Sequence, residues 1–447
     1  MKIIIIGGVA AGMSAASKIR RLNEGAEVTV YEKGRFLSYG ACGLPYYISG
    51  DSDDYRKLIA RTEEQFAKMG IRAFTRHEVV KVVPSAKQVM VKNLDTGKVF
   101  LDRYDRLMIA TGSRPVVPPV KGRDLAGVHV LKSLEDGIAL RKAARDPAVR
   151  DVAIIGGGYI GIETAEAMVQ LGKRVRIIEM GDRILRTFEP EMTALAEKEL
   201  ADNGVNLHLS ERVEEITGTG GKASGVRTDK GAYPADLVLM AAGMRPATDF
   251  LRGTGLMMAD NGAIIIDREM RTSLPDIYAA GDCAVVYSRV AEENTYIPLG
   301  TTANKMGRLA GVNLLGGREK FIGTLGSAAV KVFGLEMART GLSEEEAKKL
   351  AVDYGTVVVT ASDHPAYYPD PTDIVLKLIY EKKTGVLLGA QGVGRKGVVL
   401  RIDVFAVAIH NRMTAQEMGM VDLCYAPPFA GVWDAVHIAC NAVKQGW

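Results

Sequence analysis

Cys42 stands alone in Ser38-Tyr39-Gly40-Ala41-Cys42-Gly43-Leu44-Pro45-Tyr46, with no second cysteine nearby to pair with it. A solitary thiol cannot store two electrons as an internal disulfide. Its oxidised forms are a sulfenic acid or a mixed disulfide with another thiol. The remaining cysteines, Cys283, Cys424 and Cys440, make no CxxC pair and no His/Cys metal spacing, which argues against a disulfide framework and a zinc site. Cys283 lies in an apolar stretch and Cys440 in a helical-looking one, where a free cysteine serves as a small buried hydrophobe.

Two glycine-rich units stand ready to position chemistry around that thiol. The run Ile3-Ile4-Ile5-Ile6 leads into Gly7-Gly8-Val9-Ala10-Ala11-Gly12, a helix to about Asn23 and a strand over 27–31 that ends at Glu32. In such a βαβ unit Gly7 and Gly12 allow a tight turn and close helix packing. The helix N-terminus faces a pyrophosphate, and Glu32 accepts from ribose hydroxyls. Val9 breaks the strict GxGxxG spacing. The second copy keeps it: a strand over 152–155, then Gly156-Gly157-Gly158-Tyr159-Ile160-Gly161, a helix through Leu171 and a strand over 174–179 ending at Glu179. One such motif is a weak signal; two in one chain are a strong one.

A chain of 447 residues exceeds one ordinary hydrophobic core, and length alone suggests about three domains. The formal charge of +4 is too small and dispersed to argue for nucleic acid. Residues 3–6 read as a first buried strand instead of a signal peptide, and no run of about 18 uncharged apolar residues reads as a membrane span. A cytoplasmic location is expected.

Two further segments, Ile109-Ala110-Thr111-Gly112-Ser113-Arg114-Pro115 and Thr272-Ser273-Leu274-Pro275-Asp276-Ile277-Tyr278-Ala279-Ala280-Gly281-Asp282, complete a pattern. With them the chain resembles the FAD-dependent pyridine nucleotide-disulfide oxidoreductases along its whole length. The resemblance implies an α/β fold: two Rossmann-like dinucleotide-binding domains and a C-terminal α+β dimerisation domain. It divides the chain into a discontinuous FAD domain (1–112 and 245–326), an NAD(P)H domain (113–244) and a dimerisation domain (327–447). It places FAD on Gly7, Gly8, Val9, Ala10, Ala11, Gly12, Glu32, Lys33, Val80, Thr111, Gly112, Gly281 and Asp282, the last near the ribityl and pyrophosphate groups. It places NADH or NADPH on Gly156, Gly158, Tyr159, Ile160, Gly161, Glu163 and Glu179. Glu179 favours NADH by repelling a 2′-phosphate, while Arg183 and Arg186 lie close enough to offset it.

Within that family Leu37 stands where glutathione-reductase-like members carry a second thiol, and no C-terminal His-Glu pair is present. Peroxidase and oxidase relatives typically have a histidine in the first glycine loop, where this chain has Val9-Ala10-Ala11. The cysteine region is similar to that of the single-cysteine coenzyme A-disulfide reductases, apart from Ala41, where many relatives are polar. Their two tyrosine motifs match His364-Pro365-Ala366-Tyr367-Tyr368-Pro369 and Asp422-Leu423-Cys424-Tyr425-Ala426-Pro427-Pro428-Phe429. The resemblance thus implies a homodimer in which Tyr367 and Tyr425 serve a site shared across the interface. A phenol can donate to a departing thiolate; the alternative is ordinary packing beside prolines.

Coenzyme A carries several phosphates. Ser14, Lys18 and Arg21 share one face of the first helix, and the resemblance assigns that face, with Ser38 and Asn304, to coenzyme A. The alternative is a solvated basic face. The implied reaction sends hydride past a mobile Tyr159 to FAD, then electrons to Cys42, which alternates between thiolate and a Cys42-S-S-coenzyme A mixed disulfide. Backbone donors of a helix beginning near Gly43 to Pro45 are expected to stabilise the thiolate together with the flavin. Two rivals keep most of this chemistry: reduction of coenzyme A persulfide or polysulfide, and direct oxidation of NADH by oxygen. Persulfide-reducing relatives often add a C-terminal rhodanese domain, so a chain ending at Trp447 tilts toward the disulfide. A redox partner serving another protein is a further alternative, though no docking patch is legible.

Overall fold

The computed structural model describes residues 1–444; the end of the expected third domain, at Trp447, lies outside them. Ile3, Ile4, Ile5 and Ile6 are all buried because the strand Lys2–Ile6 lies mid-sheet with both faces covered. That parallel sheet runs in the order Ile277–Ala279, Arg106–Ile109, Lys2–Ile6, Glu27–Tyr31, Ile71–Phe74. Chain order reverses on the two sides of Lys2–Ile6, so a crevice opens beyond its C-terminal end, at Gly7. A second parallel sheet repeats the plan with Asn206–His208, Arg174–Ile178, Asp151–Ile155, Leu237–Met240 and Val128–Val130. The chain leaves the first sheet and returns to it through an antiparallel crossing of Ser113–Pro115 with Met244–Pro246.

From Ala328 onward the architecture changes to a five-stranded antiparallel sheet, in the order Ala328–Val332, Leu335–Gly341, Leu387–Gly394, Asp373–Glu381, Tyr354–Ser362. The helix Val398–His410 packs on it. The α/β class with two Rossmann-like folds and an α+β layer is therefore what the chain adopts. Leu335–Gly341 and Leu387–Gly394 both lie inside this sheet, away from its edges. Glycines dilute the apolar pattern of the latter, yet the packing demands them: a Cβ on Gly389 would sit 2.0 Å from the Leu342 carbonyl oxygen.

Glycine also governs the helix pair that will matter for the site. The first helix, Ala10–Leu22, lies against Gly300–Asn313 so closely that a Cβ on Gly307 would fall 2.2 Å from the Ala11 carbonyl oxygen. Among the described residues no helix is long and apolar enough to cross a membrane.

Candidate active site

Both nucleotide folds are built alike. Each central strand ends on a glycine of positive φ, Gly7 at +108° and Gly156 at +115°. A Cβ there would lie 2.2 Å from the Ala110 oxygen or 2.3 Å from the Ala241 oxygen, so only glycine makes the turn. Gly12 and Gly161 then let each helix close over that turn. The backbone does not demand glycine at position 9: its counterpart Gly158 has φ −82°, which any residue adopts.

No side chain caps either helix, Ala10–Leu22 or Tyr159–Gln170, which leaves first-turn N–H groups for a phosphate. Glu32 accepts from the N–H groups of Gly8 and Gly34, both at 2.7 Å; Glu179 accepts from Gly157 at 2.8 Å and Gly181 at 2.6 Å. The same two-donor clamp therefore fixes an acid at the end of each second strand, the position from which a carboxylate can accept from a ribose. Burial raises the Glu32 carboxyl above the usual carboxylate range.

Thr111-Gly112 and Gly281-Asp282 follow the strands Arg106–Ile109 and Ile277–Ala279, at the same sheet edge as Gly7. Val80 falls at a register shift between Val79 and Lys81, which takes it out of the strand ladder, and Lys33 is exposed. These cradles fit a dinucleotide in each fold.

The thiol sits between the folds. Cys42 is exposed and unpaired, in the turn Ala41–Gly43 that precedes the helix Leu44–Ser49. Leu44 and Ile48 are buried in the same core as Leu134, Leu140 and Ile162, so this helix docks on the second fold although its strand neighbours belong to the first. The helix is where the sequence placed it. Six residues make a short dipole, and Cys42 stands ahead of the cap. Lost hydration raises the Cys42 thiol, the Glu163 carboxylate adds to this, and Lys132 opposes it.

Glu163 is itself pushed up to about 7, by burial first and then by Glu166, against a hydrogen bond from Tyr46. Asp282 accepts from Ser113 Oγ at 2.9 Å and from Lys132 Nζ at 3.2 Å. Lys132, Tyr46 and Ser113 were not singled out in the sequence. Lys132 directly precedes Ser133, whose capping box with Asp136 starts the helix Leu134–Ala144. The Ser-x-x-Asp signal reveals that helix start but says nothing of the lysine.

The expected substrate residues divide. Ser14 Oγ donates to Asn304 Oδ1 at 2.7 Å, joining two positions nearly three hundred residues apart. Lys18 lies one turn beyond Ser14, and Arg308, which sequence reasoning missed, lies one turn beyond Asn304. Arg21 is exposed, with its Nε turned back to the Ser17 carbonyl. Ser38 adopts positive φ, with its N–H donating to the Gly8 carbonyl. Tyr367 and Tyr425 meet hydroxyl to hydroxyl at 3.1 Å while remaining 73% and 47% exposed, a pair offered outward instead of packed inside its own subunit. Cys424 is exposed, whereas Cys283 and Cys440 are buried, and burial lifts their thiols to about 11 and about 12.

Two dinucleotide cradles, with an exposed thiol under the influence of Asp282 from the first fold and Glu163 from the second, define a flavin- and nicotinamide-dependent oxidoreductase. The family model described as pyridine nucleotide-disulphide oxidoreductase matches residues 1–307, and that of the family's dimerisation domain matches 327–436. The chain belongs to this family, and its cofactors are FAD and a pyridine nucleotide. It is 39% identical over 443 residues to the NAD(P)H sulfur oxidoreductase (CoA-dependent) of Pyrococcus abyssi, covering 99% of this chain and 98% of that one. The NAD-dependent persulfide reductase of A. fulgidus superposes with a TM-score of 0.95 at 38% identity, covering 99% of this chain and 82% of that one. An NADH oxidase of Enterococcus faecalis is 34% identical over the full length of both chains. Two of these relatives are named for sulfur or persulfide reduction, and the Pyrococcus protein is matched over nearly all its length.

Proposed function

We propose that this chain is an NAD(P)H-dependent reductase of coenzyme A-bound sulfur of the single-cysteine type, working as a homodimer, with coenzyme A persulfide preferred and coenzyme A disulfide as a second substrate. The domain division is as read from the sequence, with FAD on the first fold and the nicotinamide on the second. FAD, when bound, takes hydride from the nicotinamide and passes an electron pair to sulfur. The protein's own residues do the rest. The Gly7 to Gly12 turn and Glu32 hold one nucleotide, and the Gly156 to Gly161 turn and Glu179 hold the other.

The Ser14–Asn304 pair, Lys18 and Arg308 bind the phosphate-bearing end of coenzyme A. Cys42 as thiolate attacks the inner sulfur of the persulfide. A Cys42-S-S-coenzyme A bond forms, the substrate's S–S bond breaks, and hydrosulfide leaves. An electron pair then cleaves the mixed disulfide, regenerating the Cys42 thiolate and releasing coenzyme A as thiol after one proton is taken up. Tyr367 and Tyr425 of a second copy donate hydroxyl hydrogen bonds to the sulfur that carries the charge. With the disulfide, the first departing group is a coenzyme A thiolate and the second half is unchanged.

The observation that carries the reading is the Ser14–Asn304 contact with cations on both flanking helix turns, a surface suited to phosphates that an oxidase acting on oxygen does not need. The relatives named for coenzyme A and persulfide reduction support it. The test is anaerobic turnover with NADH on coenzyme A persulfide, coenzyme A disulfide and polysulfide, measuring sulfide and free thiol. Fast sulfide release from the persulfide that disappears in Cys42→Ser supports the proposal. Oxygen consumption that survives Cys42→Ser, with neither coenzyme A substrate turned over, moves the function to an oxidase.

A further inference from the structure

The route from the second nucleotide cradle to Cys42 runs along the helix Tyr159–Gln170. Its first residue, Tyr159, adjoins the Gly156 to Gly158 turn; Glu163, one turn later, is one of the residues whose charge Cys42 feels. A nicotinamide reaching from the turn toward the thiol therefore passes the Tyr159 ring. That ring is tethered. Its hydroxyl lies 3.1 Å from Thr187 Oγ1, and the ring packs on Phe188 at 6.3 Å between centroids.

Thr187 is in turn held from the third domain. Its carbonyl oxygen accepts from Arg339 Nη1 at 2.6 Å, and Arg339 Nη2 donates to the Gly341 carbonyl and, at 3.0 Å, to Glu346 Oε2. Phe188 is buried, and the next residue, Glu189, uses its N–H on Gln391 and its carboxylate on the Glu344 N–H. The segment carrying Thr187 is thus fastened to the third domain at the threonine carbonyl and again two residues further on, at Glu189. The fastened element is Thr187 and the free one is the Tyr159 ring, whose only side-chain hydrogen bond among the described residues is the one to Thr187.

We infer that Thr187 is a positioning residue that latches the Tyr159 ring across the nicotinamide path, with Arg339 of the dimerisation domain holding the latch in place. This rests on the reading of the second fold as the nicotinamide site. Nicotinamide entry then requires the Tyr159–Thr187 bond to be exchanged, and the apparent affinity for NADH is reduced by the fraction of molecules in which the ring is latched. A neutral hydroxyl pair of this kind contributes about 0.5–1.5 kcal/mol, or roughly two- to tenfold in the ratio of latched to open molecules.

The test uses the holoenzyme and anaerobic stopped-flow reduction of the bound flavin by NADH, with no sulfur substrate present. Thr187→Val keeps the side-chain shape and removes the hydroxyl. The expected result is a two- to tenfold lower apparent Kd for NADH, an unchanged KM for the coenzyme A substrate, and wild-type behaviour in Thr187→Ser. Tyr159→Phe should give the same gain, and combining it with Thr187→Val should add nothing further. A Thr187→Val enzyme with wild-type NADH affinity, or gains from the two variants that add in full, overturns the latch. Failure of NADH to reduce the wild-type flavin at all would instead overturn the nicotinamide assignment on which the latch depends.

Discussion

Replacing Gly307 with alanine tests whether close helix contact builds the coenzyme A surface. Its Cβ would lie 2.2 Å from the Ala11 carbonyl oxygen, and main chain on both sides means no rotamer change relieves the clash. Ordinary contact requires the helices Ala10–Leu22 and Gly300–Asn313 to part by about 1 Å. The Ser14–Asn304 bond, now 2.7 Å, would stretch to about 3.7 Å, beyond hydrogen bonding. Overpacking costs about 1–3 kcal/mol and the lost bond about 1, against a gain of about 0.5–1 from removing a helical glycine. The expected net loss is about 1–3.5 kcal/mol, with coenzyme A binding weakened about fivefold.

The same helix contains its own controls. Gly300 has nothing within 4 Å of a Cβ, and Gly311 is intermediate at 2.8 Å from the Ala15 oxygen. Thermal melts of the three alanine variants as holoenzymes, with titration of coenzyme A, should rank Gly300 at or above wild type, Gly311 below it and Gly307 lowest. A Gly307→Ala protein as stable as wild type, or one less harmed than Gly300→Ala, refutes the reasoning.

Other expectations follow from single residues. Glu163 titrates near 7 in the fold against a usual carboxyl value of 4.5, so the folded state holds the proton more tightly. Its contribution to stability is complete below the unfolded value and is lost as pH rises from 4.5 to about 7, amounting to roughly 3 kcal/mol. Glu163→Gln should therefore gain stability over wild type above neutral pH but not in acid, and iodoacetamide should alkylate its Cys42 at lower pH because a neighbouring negative charge is gone. Tyr367→Phe and Tyr425→Phe should leave the melting temperature nearly unchanged, since both rings are exposed, yet slow the sulfur half-reaction by roughly 10²-fold; single-turnover mixing of pre-reduced enzyme with persulfide measures this. Removing the clamped acid in Glu179→Ala should raise the NADPH-to-NADH ratio of kcat/KM, because its two backbone donors fix the carboxylate where a 2′-phosphate would meet it.

The sequence by itself determined the parts whose signals are local. Two Gly-rich turns, each followed by a helix and an acid at the end of a strand, needed only periodicity and glycine sterics to be read, and Gly7, Gly12, Gly156 and Gly161 all make the turns expected of them. The solitary state of Cys42 was also legible, because pairing requires a partner that the chain does not place nearby. Central strands with glycine at close contacts were not, because Leu387–Gly394 owes its place to neighbours far away in sequence.

The environment of the thiol was decided only by tertiary structure. Docking of Leu44 and Ile48 on the second fold brings Glu163 and Lys132 to Cys42, whose thiol is raised first by lost hydration and then by the Glu163 charge, with Lys132 opposing. The same holds for Ser14 with Asn304, for Arg308 and for the Tyr159–Thr187–Arg339 chain. Each joins residues from separate elements, and electrostatics and hydrogen bonds act across space, where a linear pattern carries no record of which faces will meet.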